Sequence, residues 1–408
     1  MRRKQWSALG DRSNKPSNGY TTPRLAVVLF AAACLLRVFH VVDISIILKD
    51  DGDVVLLSKL RHENADDASV GEAAAFKVTL KYAYVNFWPG FNESHEHDTF
   101  TGGLAKACRE HGCRLQAVDS LADADLIVSS SAQPHVDVSK LQAFKVLVAF
   151  DNIGADGRGP LRKFDTRGFD YIFGSHDHYT AGKRSVPSVR WPSYIAHACD
   201  GFQDGEPPIA AASRCLGRFA GEPLRPLAER NKNATLVARK DAKRGGPAPQ
   251  FRARILQEFA KAGVQVDCPS AIGKNMPSIE QLYMSKVEFL SQYAFNICPE
   301  DSAGPGYVTE KLADAVLSGA IPIYFGSLAD EDLQFFNKDR IIFIDPTNIA
   351  ASVEQVARLQ RDERALKRLY ARPVLAPSAA HVVASIYRRL YQGLGEVVVA
   401  TLSRIQVE

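Results

Sequence analysis

The sequence predicts an α/β protein of two doubly wound domains facing a cleft, preceded by an N-terminal membrane anchor. Three observations carry this. Runs such as Lys145–Phe150, Ala294–Cys298 and Ile321–Phe325 are almost wholly apolar, as in strands buried on both faces of a parallel sheet. They alternate with stretches of helical character, the βα pattern of doubly wound folds. A Gly/Pro/Ala-rich segment at 201–230, with Glu206-Pro207-Pro208 and Glu222-Pro223-Leu224-Arg225-Pro226, divides the pattern in two.

The elements follow in order. Lys77–Phe87 alternates and is rich in Tyr, Val and Phe, which predicts a strand. A helical stretch at Gly103–Glu110 leads to strands at Asp125–Ser129, Lys145–Phe150 and Tyr171–Gly174. Beyond the break, strands are expected at Thr235–Ala238, Val264–Asp267, Ala294–Cys298, Ile321–Phe325 and Ile341–Ile344. Helices are expected at Phe251–Ala262, Ile279–Ser291, Glu310–Ser318 and Ala350–Leu369, and His381–Glu408 reads as amphipathic helix packing back. The 408 residues thus divide into a tail (1–24), anchor (25–48), stem (49–75), first domain (76–200), linker (201–230), second domain (231–350) and C-terminal helices (351–408).

Charge is concentrated at one end. Residues 1–24 hold Arg2, Arg3, Lys4, Arg12, Lys15 and Arg24 against the single acid Asp11, while the whole chain carries only +4. The body is therefore close to neutral, which argues against a dedicated nucleic-acid-binding surface. After the basic tail, Leu25–Leu36 is unbroken apolar sequence, and Leu36–Leu48 adds Arg37, His40 and Asp43. Tolerating those three groups gives a stretch long enough to span a bilayer. A cleaved signal peptide also fits the apolar run. The long polar region before it, and the lack of an immediate small-residue site after it, favour a retained anchor. Lys and Arg before the span and Asp50, Asp51 and Asp53 after it put the N-terminus in the cytosol and the body in the lumen. Asn92-Glu-Ser94 and Asn233-Ala-Thr235 are glycosylation sequons that suit a lumenal body, with Asn233 the better placed of the two. Six cysteines lie beyond the anchor (Cys108, Cys113, Cys199, Cys215, Cys268 and Cys298) and leave their pairing open.

The most specific stretch runs Phe295-Asn-Ile-Cys-Pro-Glu-Asp-Ser-Ala-Gly-Pro-Gly-Tyr-Val-Thr-Glu-Lys-Leu312 and on to Gly326. A strand ends at Cys298. A Gly/Pro/Ser loop gives the backbone freedom to approach a ligand, and a helix starts near Thr309. Glu310 and Lys311 then sit on the first turn, beside free N–H groups and the positive dipole end, where a phosphate binds well. Glu310 could accept hydrogen bonds from ribose or sugar hydroxyls. A solvated surface pair is the alternative for these two residues.

This stretch resembles the signature of the α1,3-fucosyltransferases, glycosyltransferase family 10. The likeness extends to Asn86-Phe-Trp-Pro-Gly-Phe91, Asp123-Ala-Asp-Leu-Ile-Val-Ser-Ser130, Phe150-Asp-Asn152, Phe169-Asp-Tyr-Ile-Phe-Gly174, Arg190-Trp-Pro192, Gly273-Lys274-Asn275 and Lys286-Val-Glu-Phe-Leu-Ser-Gln-Tyr293. It covers roughly 77–370, and the tail, anchor and stem fit the type II Golgi layout of the family's eukaryotic members. The resemblance implies a GT-B fold, an acceptor-binding first domain and a GDP-fucose-binding second domain. It also implies inverting transfer of fucose to a GlcNAc-containing glycan, at O3. Carried over by position, Lys311 and Arg252 would hold the donor diphosphate, Glu310 and Tyr307 would contact the fucose or nucleoside, Asp301 would belong to the same donor-binding set, and Asp151 would be the general base. This arrangement does not require a metal, though added Mn²⁺ could help product release.

Two positions depart from the family. Asp151 stands where it usually has Glu, and Asp301 where it has Asn, which replaces a possible donor by a carboxylate. Other features read as structural. Asp123-Ala-Asp125 precedes its strand, the wrong end for metal ligation, and the His95–Asp98 and His176–His178 clusters read as solvated loops. Lys240, Lys243 and Arg244 form a basic loop that could attract an anionic donor. The rival readings are a GT-B transferase for another nucleotide sugar and an inactive, membrane-tethered glycan-binding relative.

Overall fold

The computed structural model describes residues 42–48, 54–60, 76, 78–132, 135–154, 164–181, 183–203, 206–221, 225–238 and 247–405. The chain divides into two units, Met1–Ala75 and Phe76–Glu408. In the first, β1 (Val42–Leu48) pairs antiparallel with β2 (Val54–Leu60), Val42 opposite Leu60 and Leu48 opposite Val54. The expected tail and residues 25–41 of the expected anchor lie outside the described residues. The last residues of that anchor are strand rather than helix. Val42-Asp-Ile-Ser-Ile-Ile-Leu48 is rich in β-branched residues and has polar side chains at alternate positions, which favour an extended chain. Part of the expected stem is the partner strand. Among the described residues no helix is long and apolar enough to cross a membrane.

The second unit is built on two parallel sheets. The first comprises β3 (Val78–Val85), β4 (Cys113–Ala117), β5 (Leu126–Ser130), β6 (Phe144–Ala149), β7 (Tyr171–Gly174) and β10 (Ser188–Arg190), with β8 (Tyr179–Ala181) and β9 (Arg184–Val186) forming a hairpin between the last two. Its order is β10-β7-β6-β5-β3-β4. The second comprises β11 (Asn231–Leu236), β12 (Val266–Asp267), β13 (Tyr293–Pro299), β14 (Ile321–Phe325) and β15 (Ile342–Phe343), in the order β12-β11-β13-β14-β15. In each sheet the second strand in sequence lies outside the first and the third lies on its other side. The strand order therefore reverses between β3 and β5, and again between β11 and β13. In open α/β sheets ligands bind beyond the carboxyl ends of the strands at that point.

Helices flank the sheets: α1 (His95–Glu110), α2 (Ser193–Ala198), α3 (Pro208–Ala220), α4 (Pro247–Lys261), α5 (Lys286–Leu290), α6 (Glu310–Leu317), α7 (Asp330–Phe335), α8 (Ile349–Arg361), α9 (Glu363–Tyr370) and α10 (Ala379–Ile405). The last returns to the first sheet and packs on α1, α3 and β10. Its apolar face buries Val383, Ile386, Leu390 and Leu394. Tyr171 donates to Glu396 at 2.9 Å, and Arg404 pairs with Asp170 at 2.8 Å.

Several elements differ from expectation for local reasons. The segment 201–230 is not a bare linker. It contains α3, because Pro208 stands at the first helical turn, where its missing N–H costs nothing. Cys199–Cys215 ties that helix to the end of α2, and Cys108–Cys113 closes the turn between α1 and β4. Cys268 and Cys298 are buried free thiols. The first helix begins at His95 rather than Gly103, because the Ser94 hydroxyl caps it by accepting from the His97 N–H. His95 and His97 therefore belong to a helix, not a loop. The expected helix at Ile279–Ser291 is interrupted by Tyr283, whose φ of 53° is left-handed. The one at Ala350–Leu369 breaks at Asp362, which caps α9.

Candidate active site

Val237 and Ala238 follow β11, and Glu300 and Asp301 follow β13, so the reversal point of the second sheet is framed by these two loops. Between them and α6 lies a cavity of about 560 Å³, whose walls include Arg252, Lys286, Asp301, Glu310, Lys311 and Asp314, with His197 from α2. The loop 300–309 reaches the cavity because Gly306 adopts φ +76° and lies against the Ser175 carbonyl. A Cβ there would stand 2.6 Å from that oxygen.

Thr309 caps α6 by accepting from the Lys311 N–H. Glu300, whose side chain is fully buried, fixes this turn from behind. Its Oε1 accepts from the Thr309 N–H at 2.8 Å, and its Oε2 accepts from the Thr309 hydroxyl at 2.7 Å and from Lys311 Nζ at 3.2 Å. Glu310 Oε1 lies 3.5 Å from the same ammonium. Burial alone would lower the Lys311 pKa, but the Glu300 and Glu310 carboxylates outweigh it and raise it above its ordinary value. Burial likewise pushes Glu310 up, yet Lys311, Lys286 and His197 bring its pKa down to about 2. Both groups are ionised at neutral pH.

Arg252 enters from α4, almost fully buried, and pairs with Asp301. Lys286 Nζ lies 2.7 Å from Asp314 Oδ2. His197 lies 3.4 Å from Asp314 Oδ1 and 3.8 Å from Glu96 Oε1 of α1. Burial would lower the imidazole pKa, but Asp314 and Glu96 raise it from 6.5 to about 10, so His197 is cationic at neutral pH. The cavity wall thus presents four positive groups near a helix N-terminus, an arrangement that can hold an anion such as a diphosphate.

The loop after β6 meets the loop after β13. Asn152, buried, donates to the Ser302 hydroxyl at 2.8 Å. Asp151 beside it is half-buried, and its Oδ2 accepts from the Ser131 hydroxyl at 3.2 Å. Its carboxylate is held by a side chain of the β5 loop. Arg190, at the end of β10, crosses between the sheets as well. It pairs with Glu331 and Asp332 of α7, the latter at 2.6 Å, and donates to the Ser175 carbonyl at 3.1 Å.

Residues 229–372 match the family described as glycosyltransferase family 10 (fucosyltransferase), C-terminal part. About a third of the chain, including the whole second sheet, is similar to that family. Alpha-(1,3)-fucosyltransferase FucT of Helicobacter pylori is 30% identical over 165 residues, which cover 39% of this chain and 34% of that protein. Alpha-(1,3)-fucosyltransferase B of Drosophila melanogaster is 36% identical over 99 residues, covering 24% of this chain and 22% of that protein. The similarity therefore spans about a third of the length of the first relative and about a fifth of the second. A crystal structure of an α1,3-fucosyltransferase with GDP shares the fold, with a TM-score of 0.50 at 19% identity over 80% of this chain and 94% of that one.

The matched residues 229–372 include Arg252, Asp301, Tyr307, Glu310 and Lys311. The structure brings four of them to the cavity wall, but not Tyr307. Tyr307 is 4% exposed, turned into the protein after Gly306, and burial raises its phenol pKa. It supports the loop rather than facing the cavity. Asp151 lies outside residues 229–372, in the loop after β6 of the first sheet.

Asn92 is exposed in a 3₁₀ turn, whereas Asn233 is half-buried within β11. Asn92 is thus the more open of the two sequons. Asp125 accepts from the Lys81 N–H at 2.7 Å, a structural bond at the start of β5. No metal-binding cluster occurs among the described residues. The basic loop Lys240–Arg244 lies outside them.

Sequence reasoning missed Glu300 and His197. Glu300 was legible as the residue ending β13, but its role depends on Thr309 and Lys311 folding back over it. His197 has partners far away in the chain, on α1 and α6, and no local pattern marks it.

Proposed function

We propose that this protein transfers L-fucose from GDP-fucose to O3 of GlcNAc in a glycan acceptor, with inversion, forming an α1,3 linkage in protein glycosylation. The observation that carries this is the position of Lys311. It stands on the first turn of α6, at the reversal point of the second sheet, in a cavity with Arg252 and within the matched residues 229–372. A nucleoside diphosphate leaving group needs such a site.

In the proposed reaction the acceptor hydroxyl attacks the anomeric carbon of fucose as the GDP β-phosphate oxygen departs. Lys311, Arg252 and the α6 N-terminus stabilise the charge that develops on the diphosphate. Glu310, ionised and partly exposed, accepts hydrogen bonds from sugar or ribose hydroxyls. Asp151 takes the acceptor proton, a contribution typically of about 10²–10⁴-fold. The Asn152–Ser302 bond keeps the loop bearing Asp151 on the loop bearing Asp301. No step requires a bound metal.

The two disulfides support an oxidising compartment. With the basic tail and the apolar run that follows it, they support a type II Golgi membrane protein with a lumenal body.

The test is transfer from GDP-fucose to a panel of GlcNAc-containing glycans, with linkage analysis of the product. An α1,3-fucosylated product is expected. Turnover with another nucleotide sugar and none with GDP-fucose would contradict the proposal.

A further inference from the structure

The cavity contains its own counter-ions. Lys286 is matched by Asp314, Lys311 by Glu310 and by Glu300 behind it, and Arg252 by Asp301. These carboxylates are not equivalent. Glu300 is fully buried and does not line the cavity, so it orients Lys311 without meeting a ligand. Asp314 is also nearly buried, and two cations share it. Asp301 lines the cavity, retains 14% exposure, and holds the guanidinium of a buried arginine. The same Nη2 that serves Asp301 also reaches the Pro299 carbonyl at 3.4 Å, while Nε is buried without a partner. Arg252 and Asp301 thus line the same cavity as an ion pair.

We infer that Asp301 is an internal competitor for the diphosphate site, a residue that sets nucleotide affinity by holding Arg252 until a diphosphate displaces it. This rests on the cavity's being the GDP-fucose site. Two like charges beside one largely buried guanidinium repel each other. A diphosphate that takes Arg252 as its partner competes with Asp301 for that guanidinium and weakens their pairing. Asparagine has the same shape but no charge. It can still accept one bond from Arg252 through its oxygen, and its amide can donate to a phosphate oxygen. Replacing the carboxylate therefore removes the competition while keeping the geometry.

The experiment is calorimetric binding of GDP and of guanosine to the wild type, Asp301→Asn and Asp301→Ser. Guanosine lacks the phosphates, so it reports the rest of the nucleotide site. Both variants should bind GDP about tenfold more tightly, the worth of one charge-assisted bond, with guanosine affinity unchanged. GDP binding that is unaltered or weaker in both variants overturns the inference while leaving the donor site standing. A wild type and variants that all fail to bind GDP overturn the fucosyltransfer proposal itself, and this inference with it. The serine variant guards against a local effect of the asparagine amide.

Discussion

Asn152 and Ser302 join the two sheets across the candidate site. The amide of Asn152, from the loop after β6, donates to the Ser302 hydroxyl, from the loop after β13, at 2.8 Å. The proposed base Asp151 and the cavity residue Asp301 are the chain neighbours of this pair. This hydrogen bond thus ties the loop after β6 to the loop after β13.

Gly304 is the position that makes this contact possible. A Cβ there would lie 2.5 Å from Asn152 Nδ2 and 2.8 Å from its Oδ1. Asn152 is buried and engaged with Ser302, so it has little room to yield. Gly304→Ala should therefore break the bond and part the loops. Transfer should fall at least about tenfold, while the bond itself accounts for only about 0.5–1.5 kcal/mol of stability. Kinetics and melting of the variant check this. A normal rate would show that the registration is unimportant.

Glu300→Gln tests what holds Lys311. The amide keeps the shape but must turn an NH₂ group either toward the Thr309 N–H or toward the Thr309 hydroxyl and Lys311 ammonium, where the carboxylate accepted. GDP affinity should drop by about one to two decades, as in Lys311→Ala. Affinity preserved in Glu300→Gln but lost in Lys311→Ala would mean that Lys311 needs no support from behind.

His197 gives the protein a pH signature. Its folded pKa is about 10 against an ordinary 6.5. The contribution of the charged imidazole to stability is therefore fully present below pH 6.5 and is lost as pH rises through 10. The side chain is 41% exposed, so salt should weaken the effect. Melting temperature should fall more steeply between pH 6.5 and 10 in the wild type than in His197→Gln. Parallel profiles would remove the Asp314 and Glu96 pairs as stabilising contacts.

The parts of the fold legible in the sequence are those where local pattern and burial agree. β7, β13 and β14 are apolar runs because both faces of the sheet are covered. The edge strand Cys113–Ala117 carries Arg114 and Gln116 and has one face open to solvent, so it has no such signature. Pro208 concealed α3, since the same residue can end a helix or begin one. The site divides similarly. Glu310 and Lys311 are neighbours on a recognisable loop-to-helix turn. The neutralisation of Arg252 by Asp301, the support of Lys311 by Glu300 and the reach of His197 depend on tertiary folding. Strand order, which places the cavity, is likewise absent from local pattern.

The central claim is that a carboxylate of the first sheet deprotonates an acceptor held against a donor in the second. Asp151 is the carboxylate proposed for that step, held by the Ser131 hydroxyl beside the Asn152–Ser302 bridge. Asparagine at this position still accepts from Ser131 but cannot usefully take a proton. The measurement is the rate of fucose transfer from GDP-fucose to a GlcNAc-containing glycan by Asp151→Asn, with GDP affinity followed in parallel. A loss of at least about two decades in rate, with GDP affinity near that of the wild type, is the predicted result. Transfer at a near-normal rate would contradict the account.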